Sequence, residues 1–390
     1  MVEDELVPSE DFVKEIIKRD RKIFYKDLES SKKIYAPLEM ESISHVKKSD
    51  VSKVKPLIAD FTEYNPLHIG HHHCMKIAKS KIKDGIFVAI VPGLFERSGR
   101  GVPYIMTRQA RAQAAIDVGA DIVVEGPPMG IMGSGQYSLC LAKMFKALVT
   151  DFIPRGYRPF DGYNKILDRI AIGHTVVPKP YKIVDIDTGE ILLEGKLEED
   201  NYVIVSLSKS LNKVGFNFKD KFIFVKRITG VSGTLIRKSA SSGNFNEVKN
   251  MLPHETIAIL ENEIANKRAP LHNSRYGESI IDSANKLSYE ELINLNLIDE
   301  KTAKNLIEFR ENKLFESLEE IQNSISQGFS THFNQRVLSI LEAKVNKDII
   351  SNYIDNYPNI IRVLNYKNED TLEEFKNKLN DYNRRIELWQ

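Results

Sequence analysis

Two histidines with a glycine between them stand where a predicted strand gives way to a helix. They are His68 and His71, and Gly70 between them lets the backbone approach a ligand closely, since it has no side chain to obstruct it. A helix that begins here directs free N–H groups and the positive end of its dipole into the preceding turn. The two imidazoles add further hydrogen-bond donors. These residue types and their spacing predict a site for the phosphates of a nucleotide.

The elements that would position these histidines are a strand, a tight turn and a helix between residues 57 and 74. An apolar run ends at Phe61, and a polar turn closed by Asn65-Pro66 follows it. Apolar residues then recur at helical spacing, namely Met75, Ala78 and Ile82. The histidine motif therefore begins a helix at the carboxyl end of a strand.

Strand and helix patterns alternate from residue 57 to about residue 149. The apolar runs 85–91 and 121–124 are expected to be buried strands, and 107–118 and 137–149 are expected to be helices. This alternation predicts a Rossmann-like α/β fold, a parallel sheet with helices on both faces. Because ligands of such sheets bind at the carboxyl ends of the strands, the three loops that follow the first three strands are expected to meet at one site.

The second of these loops, residues 93–103, carries Arg97 and Arg100 among three glycines. One interpretation is a flexible surface loop with two solvated arginines. The other is a mobile lid whose guanidinium groups grip phosphate, which the position of the loop at a strand end favours. Arg108 and Arg111 open the following helix, where cations oppose the helix dipole, so we expect either an anionic ligand or a salt bridge there.

The third loop, residues 125–136, contains four glycines and two prolines. Such a loop can wrap a base or an acceptor with its backbone groups, or it can be an ordinary connection between a strand and a helix. The candidate acceptor-binding residues in it are Glu125, Gly126, Gly133 and Gln136.

A second helix start follows a later predicted strand, at residues 231–237. Ser232 can cap this helix, while Thr234 and the first free N–H groups face an anion. Arg237 lies one turn further on and can reach the same phosphates. A Ser-x-Thr cap alone is common, but its pairing with the histidine motif in the same strand-to-helix context predicts a shared nucleotide site.

Two of these motifs resemble signatures of the nucleotidyltransferase superfamily. The H-x-G-H signature is matched by His68-Ile69-Gly70-His71, preceded by Asn65-Pro66, and the I-S-x-T-x-I-R signature by residues 231–237. The closest resemblance is to the bacterial tRNA(Met) cytidine acetate ligase family, over residues 57–150 and the second signature. The glycine-rich third loop departs from that family.

The resemblance implies a nucleotidyltransferase fold of the HIGH type and an adenylyl transfer reaction. An acceptor oxygen would attack the α-phosphate of ATP, or of another nucleoside triphosphate, and pyrophosphate would leave, with Mg²⁺ carried on the triphosphate. His68 and His71 would be catalytic, because they would stabilise the charge that develops on the α-phosphate. The implied nucleotide-binding residues are Thr62, Asn65, Gly70, Arg97, Arg100, Arg111, Ser232, Thr234 and Arg237.

The acceptor stays open at this point. In the acetate ligase family it would be acetate, which is activated to acetyl-adenylate and then passed to a tRNA cytidine. The alternative is a small metabolite or cofactor that receives an adenylyl or cytidylyl group. A further alternative is a nucleotide-sensing protein that binds nucleic acid.

The chain is expected to divide into three parts. These are an N-terminal helical extension at 1–56, a catalytic domain at 57–250 with a hairpin insertion around 155–200, and a helical C-terminal domain at 251–390. Residues 202–207 are expected to form a further sheet strand. Residues 288–325 resemble a helix-hairpin-helix module, but their hairpin lacks the glycines that would meet phosphate, which favours a structural role.

The composition is that of an ordinary globular protein, with 42% hydrophobic residues, 28% charged residues and a net charge of +1. This balance gives no general electrostatic reason to bind nucleic acid or a membrane. The two cysteines fit a reducing compartment, and no apolar stretch approaches the roughly 18 residues of a membrane span. We therefore expect a cytoplasmic protein without membrane contact. Consecutive residues His72, His73 and Cys74 point in different directions on a helix, so no metal site is predicted.

Overall fold

The computed structural model describes residues 8–31, 55–157, 162–242, 244–272, 274–325, 332–380 and 385–389. Residues 1–7 and 32–54 of the predicted N-terminal extension lie outside these ranges. The helices are α1 (Glu10–Ser31), α2 (Ile69–Lys81), α3 (Arg108–Asp117), α4 (Ser134–Ala147), α5 (Tyr163–Ala171), α6 (Glu199–Lys213), α7 (Gly233–Ser241), α8 (His254–Ala265), α9 (Gly277–Lys286), α10 (Tyr289–Asn294), α11 (Glu300–Asn312), α12 (Leu318–Ser324), α13 (His332–Ala343), α14 (Lys347–Asn356) and α15 (Glu369–Asn380). The strands are β1 (Leu57–Phe61), β2 (Ile86–Pro92), β3 (Ile122–Gly126), β4 (Ile153–Tyr157), β5 (Val176–Lys179), β6 (Lys182–Asp185), β7 (Ile191–Glu194), β8 (Phe222–Lys226), β9 (Ile361–Tyr366) and β10 (Ile386–Leu388).

The central sheet confirms the predicted Rossmann-like fold. Strands β1, β2 and β3 pair in parallel, and β4 and β8 form a second parallel pair. A parallel bridge between Ile58 and Phe152 joins β4 to the free edge of β1. Strands β2 and β3 thus lie on one side of β1, and β4 lies on the other side. This reversal of the strand order places a topological switch point between β1 and β4. Ligands of doubly wound sheets bind at such a point.

Helices cover both faces of this sheet, because alternate side chains of the fully buried strands point to opposite sides. One apolar cluster packs the strands against α2 and α3, and another packs them against α4, α6 and the N-terminal helix α1. The helix α1 of the predicted N-terminal extension is therefore part of the core packing, with Ile17 and Phe24 fully buried.

The insertion is a three-stranded antiparallel sheet of β5, β6 and β7, and β6 and β7 flank Asp187-Thr188-Gly189. The expectation of a sheet strand at residues 202–207 is wrong, since these residues belong to α6. Ile204, Leu207 and Leu211 are buried, whereas Tyr202 and Val203 are exposed, which is the three-to-four spacing of a helix. The next strand after the insertion is β8.

The chain beyond residue 250 is mostly helical, but it returns to the main sheet with two strands. β9 pairs antiparallel with β3, and β10 pairs with β9, so the sheet order continues β1-β2-β3-β9-β10. The region that resembles a helix-hairpin-helix packs its hairpin inward, because the N–H of Asn296 donates to Val345 O. None of the described helices has the length and apolarity needed to cross a membrane.

Candidate functional site

The histidine motif forms the first turn of α2. His68 is the N-cap residue, and its Nδ1 accepts hydrogen bonds from the N–H groups of Gly70 (3.2 Å) and His71 (3.4 Å). Nδ1 of His71 in turn accepts from the N–H of His68 at 3.4 Å, which completes a capping box. The two rings stack with their centroids 3.6 Å apart. The cap fixes both imidazoles at the end of the helix where the dipole is positive.

Both imidazoles are neutral at pH 7. Burial lowers the pKa of His68 to about 4, and the charges of Arg237 and Arg227 act in the same direction. Burial also lowers the pKa of His71 well below its ordinary value. A neutral imidazole whose Nδ1 accepts a hydrogen bond carries its proton on Nε2. Nε2 of each ring is therefore a donor, as the stabilisation of a phosphate oxygen requires.

The second motif lies directly opposite the first. Ser232 caps α7, with its hydroxyl accepting from the N–H of Leu235 at 3.3 Å. A Cβ atom built on Gly233 would lie 3.9 Å from Nε2 of His68 and 3.3 Å from Nη1 of Arg237. Nη2 of Arg237 donates to the hydroxyl of Thr234 at 3.2 Å. The structure thus brings the two helix N-termini, an imidazole donor and a guanidinium group to one point.

The other predicted residues of the first motif hold the turn before α2 in place. The hydroxyl of Thr62 donates to Asp60 at 3.3 Å, and Oδ1 of Asn65 accepts from the N–H of Ile105 at 2.8 Å. A Cβ atom on Gly70 would lie 3.0 Å from the His68 ring, which is a tight contact, so glycine suits the stacked arrangement.

The second loop, for which the sequence allowed a flexible surface loop or a mobile lid, is held by other parts of the chain in this structure. Arg97 is 2% exposed and forms a bidentate ion pair with Glu342 of α13, at 2.6 and 2.9 Å. The carbonyl of Gly101 accepts from Ser339 and from Arg275, and the carbonyl of Gly99 accepts from Nε of Arg336, at 2.8 Å. Arg100, by contrast, is exposed.

Arg111 is fully buried, and each of its three guanidinium nitrogens donates to a protein acceptor. These acceptors are Glu96 and the carbonyl oxygens of Met106, Glu63 and Pro92. The sequence allowed either an anionic ligand or a salt bridge at the start of this helix, and the structure shows a salt bridge. Carboxylates far along the chain or within the loop thus engage Arg97 and Arg111, and a phosphate-binding role for these two arginines stays a prediction.

The predicted acceptor loop is likewise bound to protein. Glu125 is buried and pairs with Arg362 of β9 and with Arg108. Gly126 lies against β2, where an added Cβ would come 3.3 Å from the nitrogen of Pro92. Gly133 caps α4, and the side chain of Gln136 accepts from its N–H at 2.7 Å. Asn296 also donates to Gln136, at 3.0 Å. The side chains of Glu125 and Gln136 are thus engaged by protein groups, and acceptor binding by this loop stays a prediction.

Three residues at the switch point were not identified from the sequence. Arg227 follows β8, and its Cγ lies 3.6 Å from the Cβ position of Gly156, so its side chain crosses the end of β4. Arg155 of β4 donates to the carbonyl of Phe61 at 2.9 Å and lies 3.6 Å from the carboxylate of Asp60. Burial raises the pKa of Asp60 to about 6. Asp60 and Arg227 lie at the ends of predicted strands, which is a signal that could have identified them, whereas the sequence analysis predicted no strand around Arg155.

Among the described residues, His174, Asp185 and Asp187 of the insertion are the group whose potential metal ligands lie within 4.8 Å of one another. Nδ1 of His174 is 2.7 Å from Asp185, whose other oxygen accepts from the N–H of Asp187 at 3.0 Å. The contact with His174 joins the residues before β5 to the end of β6, and the contact with Asp187 lies in the turn between β6 and β7.

Comparison with known proteins places this geometry in a family. A family model described as HIGH Nucleotidyl Transferase matches residues 57–138, and one described as Cytidyltransferase-related C-terminal region matches residues 158–365. An uncharacterized protein of Methanocaldococcus jannaschii is 48% identical over 80% of this chain and 85% of its own length.

Two further relatives carry more specific names. A tRNA(Met) cytidine acetate ligase of Kosmotoga olearia is 26% identical over 60% of this chain and 62% of the ligase. The crystal structure of Thermotoga maritima TmcAL bound with alpha-thio ATP has a TM-score of 0.69 and 19% identity, with 85% of each chain covered. The present chain shares the fold of that structure.

Proposed function

The chain belongs to the family of HIGH nucleotidyl transferases that carry a cytidyltransferase-related C-terminal region, and we propose that it transfers an adenylyl group from ATP to an acceptor oxygen. The observation that carries the proposal is the convergence at Gly233. Nε2 of His68 and Nη1 of Arg237 lie within 4 Å of one point between two helix N-termini, where a triphosphate would be held.

The acceptor oxygen would attack the α-phosphorus of ATP, and the bond to the oxygen that bridges to the β-phosphate would break, so that pyrophosphate leaves with the electron pair. His68 and His71 would donate hydrogen bonds from Nε2 to the α-phosphate as charge develops there. Ser232, Thr234 and Arg237 would bind the β- and γ-phosphates. ATP enters as its magnesium complex, so Mg²⁺ is part of the substrate.

Acetate is the acceptor that the named relatives support, with acetyl-adenylate as the product and a tRNA cytidine as the second substrate. ATP as the nucleotide is supported by the ATP analogue bound to Thermotoga maritima TmcAL. A cytoplasmic location would supply both ATP and tRNA. The second candidate is adenylyl or cytidylyl transfer to a small metabolite, which the cytidyltransferase-related family description favours. The inward packing of the hairpin at Asn296 counts against nucleic-acid binding by that hairpin.

The test is pyrophosphate release from each of the four nucleoside triphosphates with Mg²⁺, alone and with acetate or tRNA added. Release from ATP that depends on acetate is the expected result, and release from CTP with a metabolite pool would favour the second candidate. His68→Ala should lower the rate on the order of a hundredfold. His72→Ala is the matched control, since His72 is on the same helix but outside the stacked pair. Full activity of His68→Ala would show that the proposed mechanism is wrong.

A further inference from the structure

The N-terminal helix α1 contacts the second loop through Asp20. This carboxylate is fully buried, and it accepts a hydrogen bond from the N–H of Phe95 at 2.7 Å. It also accepts from Nη1 and Nη2 of Arg108, each at 2.8 Å. The ring of Phe24, one turn further along α1, lies with its centroid 5.9 Å from that of Phe95. One face of α1 therefore binds both the backbone and the side chain of a residue in the second loop.

Phe95 and Glu96 have a strained backbone conformation. Their φ angles are 69° and 48°, in the left-handed region that residues with a side chain seldom adopt, because the Cβ atom comes too close to a carbonyl oxygen. Such residues persist only where surrounding groups hold them. Here Asp20 holds the N–H of Phe95, while Arg108 and Arg111 hold the carboxylate of Glu96. Asp20 thus supports a strained segment in addition to balancing the charge of Arg108.

The strained segment is joined to the turn that precedes the histidine motif. The carboxylate of Glu96 accepts from Nη2 of Arg111 at 3.0 Å, and Nη1 of Arg111 donates to the carbonyl of Glu63 at 2.8 Å. The carboxylate of Glu63 in turn accepts from the N–H of Gly99 at 2.8 Å. Glu63 lies in the turn between β1 and His68. A shift of the strained segment would therefore move the turn that sets the position of His68.

The helix α1 also holds α13. Arg21 donates to the carbonyl oxygens of Glu342 and Ala343, at 2.8 and 3.0 Å. These are the last two residues of α13, and the side chain of Glu342 binds Arg97 of the second loop. The helix α1 therefore fixes this loop directly at Phe95 and, through α13, at Arg97.

We infer that Asp20 is a positioning residue of the nucleotide site, which holds residues 95–96 in their left-handed conformation and thereby sets the position of His68. The inference rests on the proposed function, because adenylyl transfer is the reaction whose rate Asp20 would affect. Asp20 itself touches no substrate. The helix α1, which lies outside both signature motifs, is thereby a working part of the site.

Steady-state pyrophosphate release from ATP, with Mg²⁺ and acetate, tests the inference with Asp20→Asn in the full chain. We expect kcat to fall roughly tenfold to a hundredfold, because a displacement of about 1 Å at a catalytic group costs up to about a hundredfold. The KM for ATP should change by less than about threefold, since the proposed triphosphate-binding residues Ser232, Thr234 and Arg237 lie outside this chain of contacts.

Asp121→Asn is the matched control. Asp121 is also buried, accepts from the N–H of a phenylalanine, Phe87, at 2.9 Å, and pairs with Lys79 at 2.7 Å. It directly precedes β3, so it lies at the amino end of the strands, whereas the histidine motif follows the carboxyl end of β1. The same chemical change at this position should lower the free energy of unfolding but leave kcat at the wild-type value.

Two further measurements separate positioning from charge pairing. Asp20→Glu keeps the negative charge beside Arg108 but moves the carboxylate by one methylene group, so its kcat should also be lower than that of the wild type by roughly tenfold or more. Hydrogen exchange of the wild-type protein, followed by mass spectrometry with fragmentation that resolves single amides, should show slow exchange at Phe95. This second measurement needs no variant, so it decides the question even where Asp20→Asn fails to fold.

The outcomes separate this inference from the proposed function. Wild-type protein that releases no pyrophosphate from ATP would overturn both. A wild-type kcat in Asp20→Asn or in Asp20→Glu would overturn the inference alone, and so would equal losses of kcat in Asp20→Asn and Asp121→Asn. A Phe95 amide that exchanges as fast as an exposed loop amide would also overturn it, since Asp20 would then not hold this N–H in solution.

Discussion

Nε2 of His68 faces Gly233 across the site, 3.9 Å from the position that a Cβ atom on this glycine would occupy. Gly233 is the first residue of α7 and lies in the variable position of the second signature. Apart from its chain neighbours and the backbone of α7, Nη1 of Arg237 is the other atom of the described residues within 4 Å of that position. A methyl group at residue 233 would therefore enter the space between the two proposed phosphate-binding groups without a clash that disturbs the fold.

The first prediction is that Gly233→Ala weakens ATP binding by roughly tenfold to a hundredfold, as overpacking of about 1–3 kcal/mol would produce. Stability without ligand should be equal or slightly higher, because alanine favours a helix over glycine. Titration calorimetry and urea unfolding measure the two effects.

Gly135→Ala is the matched control for this prediction. Gly135 lies in the first turn of α4, and apart from its chain neighbours and the backbone of α4 none of the described residues comes within 4 Å of its Cβ position. An ATP affinity of Gly233→Ala equal to that of this control would mean that no phosphate occupies the space at Gly233.

The second prediction concerns Arg227, whose side chain crosses Gly156 and whose charge acts on both His68 and His71. Arg227→Ala should raise the KM for ATP by roughly tenfold or more, since a hydrogen bond to a charged group contributes about 1.5–3 kcal/mol. Arg227→Lys should recover part of the loss, because it keeps the charge but not the planar donor geometry.

Lys226→Ala controls for the loss of a positive charge at the end of β8. Lys226 is exposed and precedes Arg227 directly, so the two variants change the net charge equally. Steady-state kinetics with ATP decides between them. Equal KM values for the two variants would assign Arg227 a general electrostatic effect and not a phosphate contact.

The third prediction follows from the neutral histidines. The folded-state pKa of His68 is about 4, below the ordinary value of 6.5, so the unfolded chain binds a proton more readily than the folded protein. The resulting stability is present above about pH 6.5 and is lost as the pH falls toward 4. By about pH 4, the free energy of unfolding should be lower by about 3 kcal/mol because of this titration.

The His68→Asn variant lacks the imidazole that titrates. Asparagine is a good N-cap residue, so its side chain still provides a hydrogen-bond acceptor for the first turn of α2. Urea unfolding of both proteins at pH 7, 5 and 4 measures the effect. The free energy of unfolding should fall more steeply for the wild type than for His68→Asn. Parallel curves would show that His68 titrates normally in the folded protein.

Local patterns in the sequence were sufficient for the parts of the fold that local interactions decide. The strand, turn and helix around His68 were predicted because apolar periodicity and a helix start are encoded within a few residues. The second signature at Ser232 was found for the same reason. The alternation of strands and helices likewise predicted the parallel sheet.

Long-range pairing explains what the sequence did not predict. Arg97 and Arg111 looked like available phosphate ligands, since a loop sequence does not reveal that Glu342 lies on a helix packed against it. Glu125 looked like an acceptor residue because nothing near it in sequence indicated that β9 would bring Arg362 alongside. Contacts between residues far apart in the chain are set by tertiary packing, which residue spacing does not encode.

The fourth prediction concerns the ion pair between Arg97 and Glu342, which joins the second loop to α13. Glu342 is 1% exposed and accepts from Arg97, from Arg275 and from the N–H of Tyr276. Burial alone would raise the pKa of Glu342, but the charges of Arg97 and Arg275 hold it below its usual value. The stability that this carboxylate contributes is therefore present above its ordinary pKa and lost as the pH falls below it.

Glu342→Gln should lower the free energy of unfolding by about 3–5 kcal/mol at pH 7, because two buried guanidinium groups lose their charged partner. Glu316→Gln is the control, since Glu316 pairs with Lys313 at 3.4 Å on the exposed surface and should contribute less than about 1 kcal/mol. Urea unfolding at pH 7 and pH 4 measures both variants, and the difference between wild type and Glu342→Gln should shrink at pH 4. If Glu342→Gln is no less stable than Glu316→Gln, the second loop is not fixed by α13 in solution, and a mobile lid would again be the better description of residues 93–103.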